Sequence, residues 1–156
     1  MPLANESFLQ ACRGEQPERT PIWVMRQAGR YLPEYRAIRA KVSFENLVRT
    51  PTLCAEVTLQ PIDRFGFDAA ILFSDILTVF DAMGVEVRFN PSPVVDEPVR
   101  TAADVKRLRF APAADALGYV YEAVEACKAA LADRVPLIGF CGAPLTTASY
   151  LIEGGS

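Results

Sequence analysis

The 156-residue chain contains no histidine, and its four cysteines are far apart, with no C-x-x-C pair: Cys12, Cys54, Cys127 and Cys141. Structural zinc is bound mainly by cysteine and histidine at short spacings, so the sequence predicts no metal site. Scattered single cysteines are typical of reduced, structural thiols. We therefore expect a cytoplasmic protein with free cysteines.

Long apolar runs are also missing. No stretch of about eighteen apolar residues occurs, so the sequence predicts no membrane-spanning helix. The start, "MPLANESFLQACRGE", has no basic flank followed by a long apolar segment, and we expect no secretory signal. With 51% apolar residues, the composition is that of a globular protein and not of a disordered chain.

The chain is acidic overall, but one segment has a marked excess of positive charge. Residues 19–41 hold six cations and one anion, a charge of +5, so the rest of the chain carries −8 for the formal net charge of −3. Nucleic-acid binding usually needs a broadly basic face, which is absent. The segment favours a small polyanionic ligand, and a solvated basic surface is the alternative. The cations are Arg19, Arg26, Arg30, Arg36, Arg39 and Lys41.

Two apolar runs without alternation, residues 69–73 and 135–141, predict strands buried on both faces, as in parallel sheets. Helical patterns surround them, among them one from Pro51 in which Pro61 should kink or end the helix. The stretch "NPSPVVDEPV" predicts a loop. This order of elements predicts an α/β fold.

Two parallel strands are too few for a stable sheet, because both edges remain open. We therefore expect residues 1–156 to form the N-terminal portion of one larger domain.

Several side chains are suited to binding an anion. Arginine binds carboxylates bidentately, and Arg26 and Arg30 share a face if the segment between them is helical. Gly29 would let a ligand approach the backbone. Trp23 is predicted to lie in the core. Arg36 and Arg39 are expected to be surface charges or ion-pair partners of Glu34.

Asp75 directly follows the first predicted strand. Ligands and catalytic groups gather at the C-terminal ends of parallel strands, which favours a site there. The alternative is a cap for the following helix, a role that aspartate fills well.

Six segments, in this order, resemble the uroporphyrinogen decarboxylase family: "MRQAGRYLPEYR", "LQPIDRF", "FSDIL", "MGVEV", "VPLIGFCGAP" and "YLIEGGS". The resemblance implies a TIM-type (β/α)8 barrel, usually a homodimer, that acts without metal or organic cofactor in haem synthesis. Its substrate is uroporphyrinogen, whose four acetate arms are decarboxylated to give coproporphyrinogen and carbon dioxide. The family's later strands, with a substrate-contacting serine and histidine, have no counterpart here, so 156 residues alone are expected to be inactive.

The resemblance also implies the site residues. Arg26 and Arg30 would bind substrate carboxylates, with Gln27, Ala28 and Gly29 as the backbone of the same cradle. Phe44 would line the cleft or simply pack. Tyr150 would hold Asp75 or a substrate carboxylate, or pack its ring between helix and sheet. The set implied for substrate binding is Arg26, Gln27, Ala28, Gly29, Arg30, Phe44, Asp75 and Tyr150, with Asp75, Arg26 and Tyr150 as catalytic residues.

Decarboxylation without a cofactor requires another group that accepts the electron pair left by carbon dioxide. Protonation of a pyrrole carbon makes a cationic ring that accepts the electrons left by carbon dioxide, and a fixed carboxylate at Asp75 would stabilise that cation. Three candidates for the proton donor remain: a substrate carboxyl, water and Arg26. Two other functions stay open: a barrel methyltransferase, which needs soft zinc ligands, and an inactive anion-binding fragment.

Overall fold

A computed structural model describes residues 3–89 and 92–155. The helices and strands, in chain order, are α1 (Ser7–Cys12), α2 (Pro33–Arg39), α3 (Phe44–Arg49), α4 (Pro51–Phe65), β1 (Ala70–Ile71), α5 (Val79–Met83), β2 (Val87–Phe89), β3 (Pro93–Val95), α6 (Ala102–Arg107), α7 (Ala113–Ala116), α8 (Gly118–Leu131), β4 (Leu137–Ile138) and α9 (Pro144–Glu153). The chain divides into a first unit, residues 1–73 and 122–139, and a second unit, residues 74–121 and 140–156.

The first unit is built on the parallel pair of β1 and β4, with Ala70 opposite Leu137 and Ile71 opposite Ile138. A parallel pair joined through helices confirms the α/β prediction. Each strand is shorter than its apolar run. The strand pair is covered by buried side chains from α4 and α8, including Ile62 and Leu131.

Helix α4 begins with Pro51 at its first turn and ends at Gly66, whose φ of +65° is left-handed. The prediction that Pro61 ends this helix early is wrong, because the helix continues to Phe65. Pro61 is buried, and Ile62 beside it packs in the core cluster with Ala70. Tertiary packing of this face holds the last turn although Pro61 donates no backbone hydrogen bond.

The second unit contains an antiparallel hairpin of β2 and β3. The stretch "NPSPVVDEPV" was predicted to be a loop, which is wrong for Pro93–Val95, since these residues form β3; Asn90 and Pro91 lie outside the described residues. A proline is tolerated as the first residue of a strand, where no donor is needed. Val95 packs in the unit's core, which also contains Leu77, Phe80, Val99 and Leu151.

Within residues 3–89 and 92–155, none of the helices has both the length and the apolar character that crossing a bilayer requires.

Asp68, just before β1, is a buried carboxylate with a full set of partners. Its Oδ2 accepts hydrogen bonds from Arg19 Nη1 at 2.8 Å and from the Ile22 N–H at 2.7 Å, and its Oδ1 accepts one from Asn5 Nδ2 at 2.7 Å. The Asp68 N–H donates to the Ile22 carbonyl at 2.9 Å. Burial disfavours the charged form, but Arg19, the Ile22 N–H and Asn5 outweigh it and lower the pKa of Asp68.

We expect Asp68→Asn to lower the free energy of unfolding by about 1–3 kcal/mol, the range for charge-assisted hydrogen bonds. Because the folded state lowers the pKa of Asp68, its contribution is present above the unfolded pKa and is lost as the pH falls through the folded pKa. Urea unfolding between pH 7 and pH 3 measures this. The difference between wild type and variant should shrink on acidification, and a difference independent of pH would contradict the assignment.

Candidate functional site

Residues 22–31, here called the arginine loop, are not helical, and α2 begins only at Pro33. The condition under which Arg26 and Arg30 would share a helical face is therefore not met. The loop is instead a series of turns, with hydrogen bonds from the Gln27 N–H to the Val24 carbonyl (2.9 Å) and from the Leu32 N–H to the Gly29 carbonyl (3.0 Å). Arg26 has a φ of +59°, a left-handed conformation that typically costs a non-glycine residue about 1–3 kcal/mol.

The side chains of Arg26 and Arg30 are exposed, and neither forms an ion pair or hydrogen bond with the residues that the structure describes. Two guanidinium groups without a protein carboxylate are suited to bind an external anion. A Cβ added at Gly29 would meet the Arg26 carbonyl at 3.7 Å, an ordinary contact, so contacts within the chain do not require glycine there.

Apolar side chains of the arginine loop are exposed as well. Trp23 is 37% exposed and Met25 75% exposed, so the prediction that Trp23 lies in the core is wrong. The reason is that the loop is held at Ile22 by Asp68 and at Gln27 by Ala69, which leaves residues 23–26 on the surface. Cationic and apolar groups thus lie next to each other along the chain.

Gln27 and Ala28 direct their side chains into the protein. Gln27 is only 2% exposed; its Oε1 accepts from the Val24 N–H at 3.3 Å and its Nε2 donates to the Ala69 carbonyl at 3.1 Å. Ala28 packs against the buried cluster that contains Leu32 and Tyr35. Only the backbone of these two residues is therefore suited to contact a ligand.

Arg36 and Arg39, two further cations of residues 19–41, act within the protein. Arg36 donates to the carbonyls of Arg30 (2.9 Å) and Tyr31 (3.1 Å), and so supports the end of the arginine loop. Glu34 accepts from Arg64 Nε at 3.2 Å, so its hydrogen-bonded partner is Arg64 and not Arg36. Arg39 donates to the Val42 carbonyl.

Phe44, the first residue of α3, is half-buried in an aromatic group. Its ring meets Phe73 edge-on at 5.9 Å between centroids, and the guanidinium of Arg39 lies 6.0 Å from its centroid. Phe73 in turn contacts Tyr35 at 5.5 Å. These contacts favour a packing role for Phe44, which is half-buried.

Sequence reasoning missed the residues that hold the end of the first strand. The Cys54 thiol donates to the Phe73 carbonyl at 2.9 Å, and the Phe73 N–H donates to Thr58 Oγ1 at 3.0 Å. A hydrogen bond with Cys127 and burial raise the pKa of Cys54, which keeps it a thiol that can donate. The sequence pattern that could have indicated these residues is the i, i+4 spacing of two small polar residues on the buried face of α4.

Asp75 is half-buried in the second unit, two residues beyond Phe73 in sequence. Its Oδ1 accepts the Leu77 N–H at 2.8 Å, and Thr78 Oγ1 donates to its carbonyl at 3.1 Å. Burial raises the pKa of Asp75, and the Leu77 hydrogen bond opposes this. The alternative that Asp75 caps the following helix is wrong, because α5 begins at Val79 with Thr78 as its N-cap and has no side-chain cap; Asp75 Oδ1 instead closes the turn that precedes the helix. Oδ2 has no hydrogen bond from the residues that are described, and it can accept one from a ligand.

Tyr150, in α9, packs against the core cluster that contains Leu77 and Leu151. Within the described part of the second unit, no hydrogen bond joins its hydroxyl to Asp75. The packing role is therefore observed, and the hydroxyl is left for another partner.

Gly142 lies against the segment that carries Asp75. A Cβ at this position would meet Ile76 Cβ at 3.3 Å and Thr147 Cγ2 at 2.6 Å. Thr147 is β-branched and its hydroxyl is bonded to the Pro144 carbonyl at 3.1 Å, so it cannot move away easily. Glycine here permits the close approach of the segment after β4 to Ile76.

No group of three or more His, Cys, Asp or Glu residues suited to a metal ion occurs in residues 3–89 and 92–155.

The parallel strand pair with its helices makes this an α/β protein, and the exposed arginines of its first unit are suited to bind an anionic ligand. A family model described as uroporphyrinogen decarboxylase (URO-D) matches residues 3–156, and the chain belongs to this family. It is 56% identical over 150 residues to a uroporphyrinogen decarboxylase of Geobacter metallireducens, a match that covers 96% of this chain and 44% of the relative. It is 57% identical over 155 residues to that of Chloroherpeton thalassium (98% and 44%). It is 54% identical over 154 residues to that of Desulfotalea psychrophila (97% and 45%). The chain thus spans less than half the length of these curated relatives.

We expect Gly142→Ala to destabilise the protein by about 1–3 kcal/mol, because the added methyl group overpacks Thr147 and Ile76. Urea or thermal unfolding followed by circular dichroism measures the loss. Gly139→Ala is the matched control, since a Cβ at Gly139 meets nothing within 4 Å. Identical unfolding curves for the two variants would show that the segment is not tightly packed.

Proposed function

We propose that this chain forms the N-terminal portion of a single (β/α)8 barrel that decarboxylates the four acetate arms of uroporphyrinogen III to coproporphyrinogen III and carbon dioxide. Membership of the family and identities of 54–57% along nearly the whole chain support the proposal over the methyltransferase and the anion-binding fragment. We expect the complete protein to be a cytoplasmic homodimer that binds neither nucleic acid nor membranes.

The observation that carries the proposal is the arginine loop. Uroporphyrinogen has eight carboxylates on an apolar macrocycle, so its binding surface must combine cations with apolar contact area. Arg26 and Arg30 are exposed, their guanidinium groups have no partner among the described residues, and Trp23 and Met25 are exposed beside them. Guanidinium groups match carboxylates in geometry and remain charged at any working pH.

Asp75 is proposed as the catalytic carboxylate. Protonation of a pyrrole carbon gives an iminium-like ring, the bond between the acetate methylene and its carboxylate then breaks, and the electron pair moves into the ring as carbon dioxide leaves. Protonation of the resulting exocyclic methylene gives the methyl group, and loss of the proton from the ring carbon restores the pyrrole. An ionised Asp75 that accepts pyrrole N–H groups stabilises the cationic ring more than the neutral substrate, and this difference lowers the barrier. The unoccupied Oδ2 and the turn that fixes Oδ1 support this role.

The remaining site residues have supporting roles in the proposal. The backbone of Gln27, Ala28 and Gly29 contacts a substrate arm, and the half-buried ring of Phe44 lines the cleft. The Tyr150 hydroxyl binds a substrate carboxylate, since its ring is already held by packing.

We expect Asp75→Asn in the full-length gene product to lower kcat on the order of 10²–10³-fold, the usual cost of removing one preorganised electrostatic group. Asparagine still accepts the Leu77 N–H, so folding and binding should persist.

Because burial raises the pKa of Asp75, wild-type activity should fall as the pH drops through a value above that of an ordinary aspartate, and the variant should lack this dependence. Product analysis from pH 4 to 8 measures both, with the exposed Asp115→Asn as control. Near-normal turnover would remove Asp75 from the mechanism.

We expect Arg26→Ala to weaken binding of uroporphyrinogen III by roughly 10–100-fold, the range for a lost charge-assisted hydrogen bond, and to weaken binding of coproporphyrinogen III less. The product has lost the acetate carboxylates that Arg26 is proposed to bind. Equilibrium binding under anaerobic conditions measures both affinities. Arg13→Ala removes the same charge outside the arginine loop and should change neither. Equal losses for substrate and product would argue against an acetate contact.

A further inference from the structure

Gln27 is one of the few buried polar side chains of the first unit, and it follows directly on Arg26. We propose that the Gln27 side chain is a positioning residue for Arg26: it fixes the turn that presents the Arg26 guanidinium to the substrate and does not itself touch the substrate. This role of Gln27 adds to the proposed function, and its expected effect on KM rests on that function.

The contacts of Gln27 close the turn from both sides. The Gln27 N–H donates to the Val24 carbonyl at 2.9 Å, and the Val24 N–H donates to Gln27 Oε1 at 3.3 Å. Residues Val24 and Gln27 are thus joined through main chain and side chain, with Met25 and Arg26 exposed between them.

The same side chain attaches the turn to the sheet. Gln27 Nε2 donates to the carbonyl of Ala69, a fully buried residue that directly precedes β1, at 3.1 Å. The Gln27 carbonyl accepts the Tyr31 hydroxyl, which ties the turn to the far end of the arginine loop. An amide suits this place because it offers a donor to Ala69 and an acceptor to Val24 in one group.

The backbone of Arg26 shows why such an anchor is needed. With a φ of +59°, Arg26 is in a conformation that a side chain with a Cβ avoids unless its surroundings enforce it. Loss of the Gln27 bonds would allow Arg26 to relax to negative φ. That rotation redirects the Cα–Cβ bond, and the guanidinium at the end of the long side chain moves away.

The first test is a double-mutant cycle on the full-length gene product, with Gln27→Met, Arg26→Ala and the double variant. Methionine keeps the length of the side chain and removes both hydrogen bonds. We expect Gln27→Met to raise the KM for uroporphyrinogen III on the order of tenfold with a smaller change in kcat, and to change KM by less than about twofold in the Arg26→Ala background. Equal effects in both backgrounds would mean that Gln27 acts on stability alone and would overturn the proposal.

A second readout does not depend on activity. Trp23, the only tryptophan of this chain, lies in the same loop, so its quenching by acrylamide reports the state of the turn. Trp23→Phe, measured in parallel, leaves only the signal of any other tryptophan in the full-length gene product, and this background is subtracted. We expect stronger quenching of Trp23 in Gln27→Met. Unchanged quenching would overturn the inference, whatever the kinetics.

Gln27→Glu covers the case in which Gln27→Met does not fold. Glutamate keeps the acceptor for the Val24 N–H and loses the donor to Ala69, so quenching and KM should rise together; a rise in neither would contradict the anchor. If the wild-type protein does not decarboxylate uroporphyrinogen, the proposed function fails, and the Trp23 measurement alone decides whether Gln27 holds the turn.

Discussion

The first unit depends on the attachment of an irregular, charged loop to the edge of the first strand. Two consecutive residues before β1 provide it. Asp68 binds Ile22 through both its carboxylate and its backbone, and the Ala69 carbonyl accepts the Gln27 side chain. Because Asp68, Ala69 and Gln27 are buried, their polar groups must be paired, and the pairing fixes the loop at two points. The exposure of Trp23, Met25 and Arg26 is a consequence of this constraint.

The same principle operates at the other end of β1. Ladder hydrogen bonds run from Ala70 to Pro136 and from Leu72 to Ile138, and beyond them the backbone of Phe73 is bonded by Cys54 and Thr58 of α4. Side chains of one helix thus replace a strand partner at the position where the chain leaves the sheet for Asp75. Backbone groups in a buried segment need such partners: the Cys54 thiol supplies a donor, and the Thr58 hydroxyl one helical turn later supplies an acceptor.

Much of the fold could be predicted from local patterns. The helix that begins at Pro51 and the strands predicted within residues 69–73 and 135–141 agree with the structure, because these predictions depend on residues close in sequence. Predictions that depended on distant contacts were less successful. Pro61 does not end α4, since packing against β1 outweighs a missing hydrogen bond. Pro93–Val95 forms a strand because Val87–Phe89 pairs with it.

For the candidate site, the sequence by itself determined the family, the concentration of arginines in residues 19–41 and the place of Asp75 just past a buried strand, because each depends on residue type and order alone. Only the tertiary structure decided that Gln27 is turned inward, that Arg26 has a left-handed backbone, that Trp23 is exposed and that Arg36 supports the loop. These features arise from hydrogen bonds between residues as far as 46 positions apart, as for Ile22 and Asp68 and for Gln27 and Ala69. Such bonds form only once folding has brought the partners together, so a pattern of neighbouring residues in the sequence does not predict them.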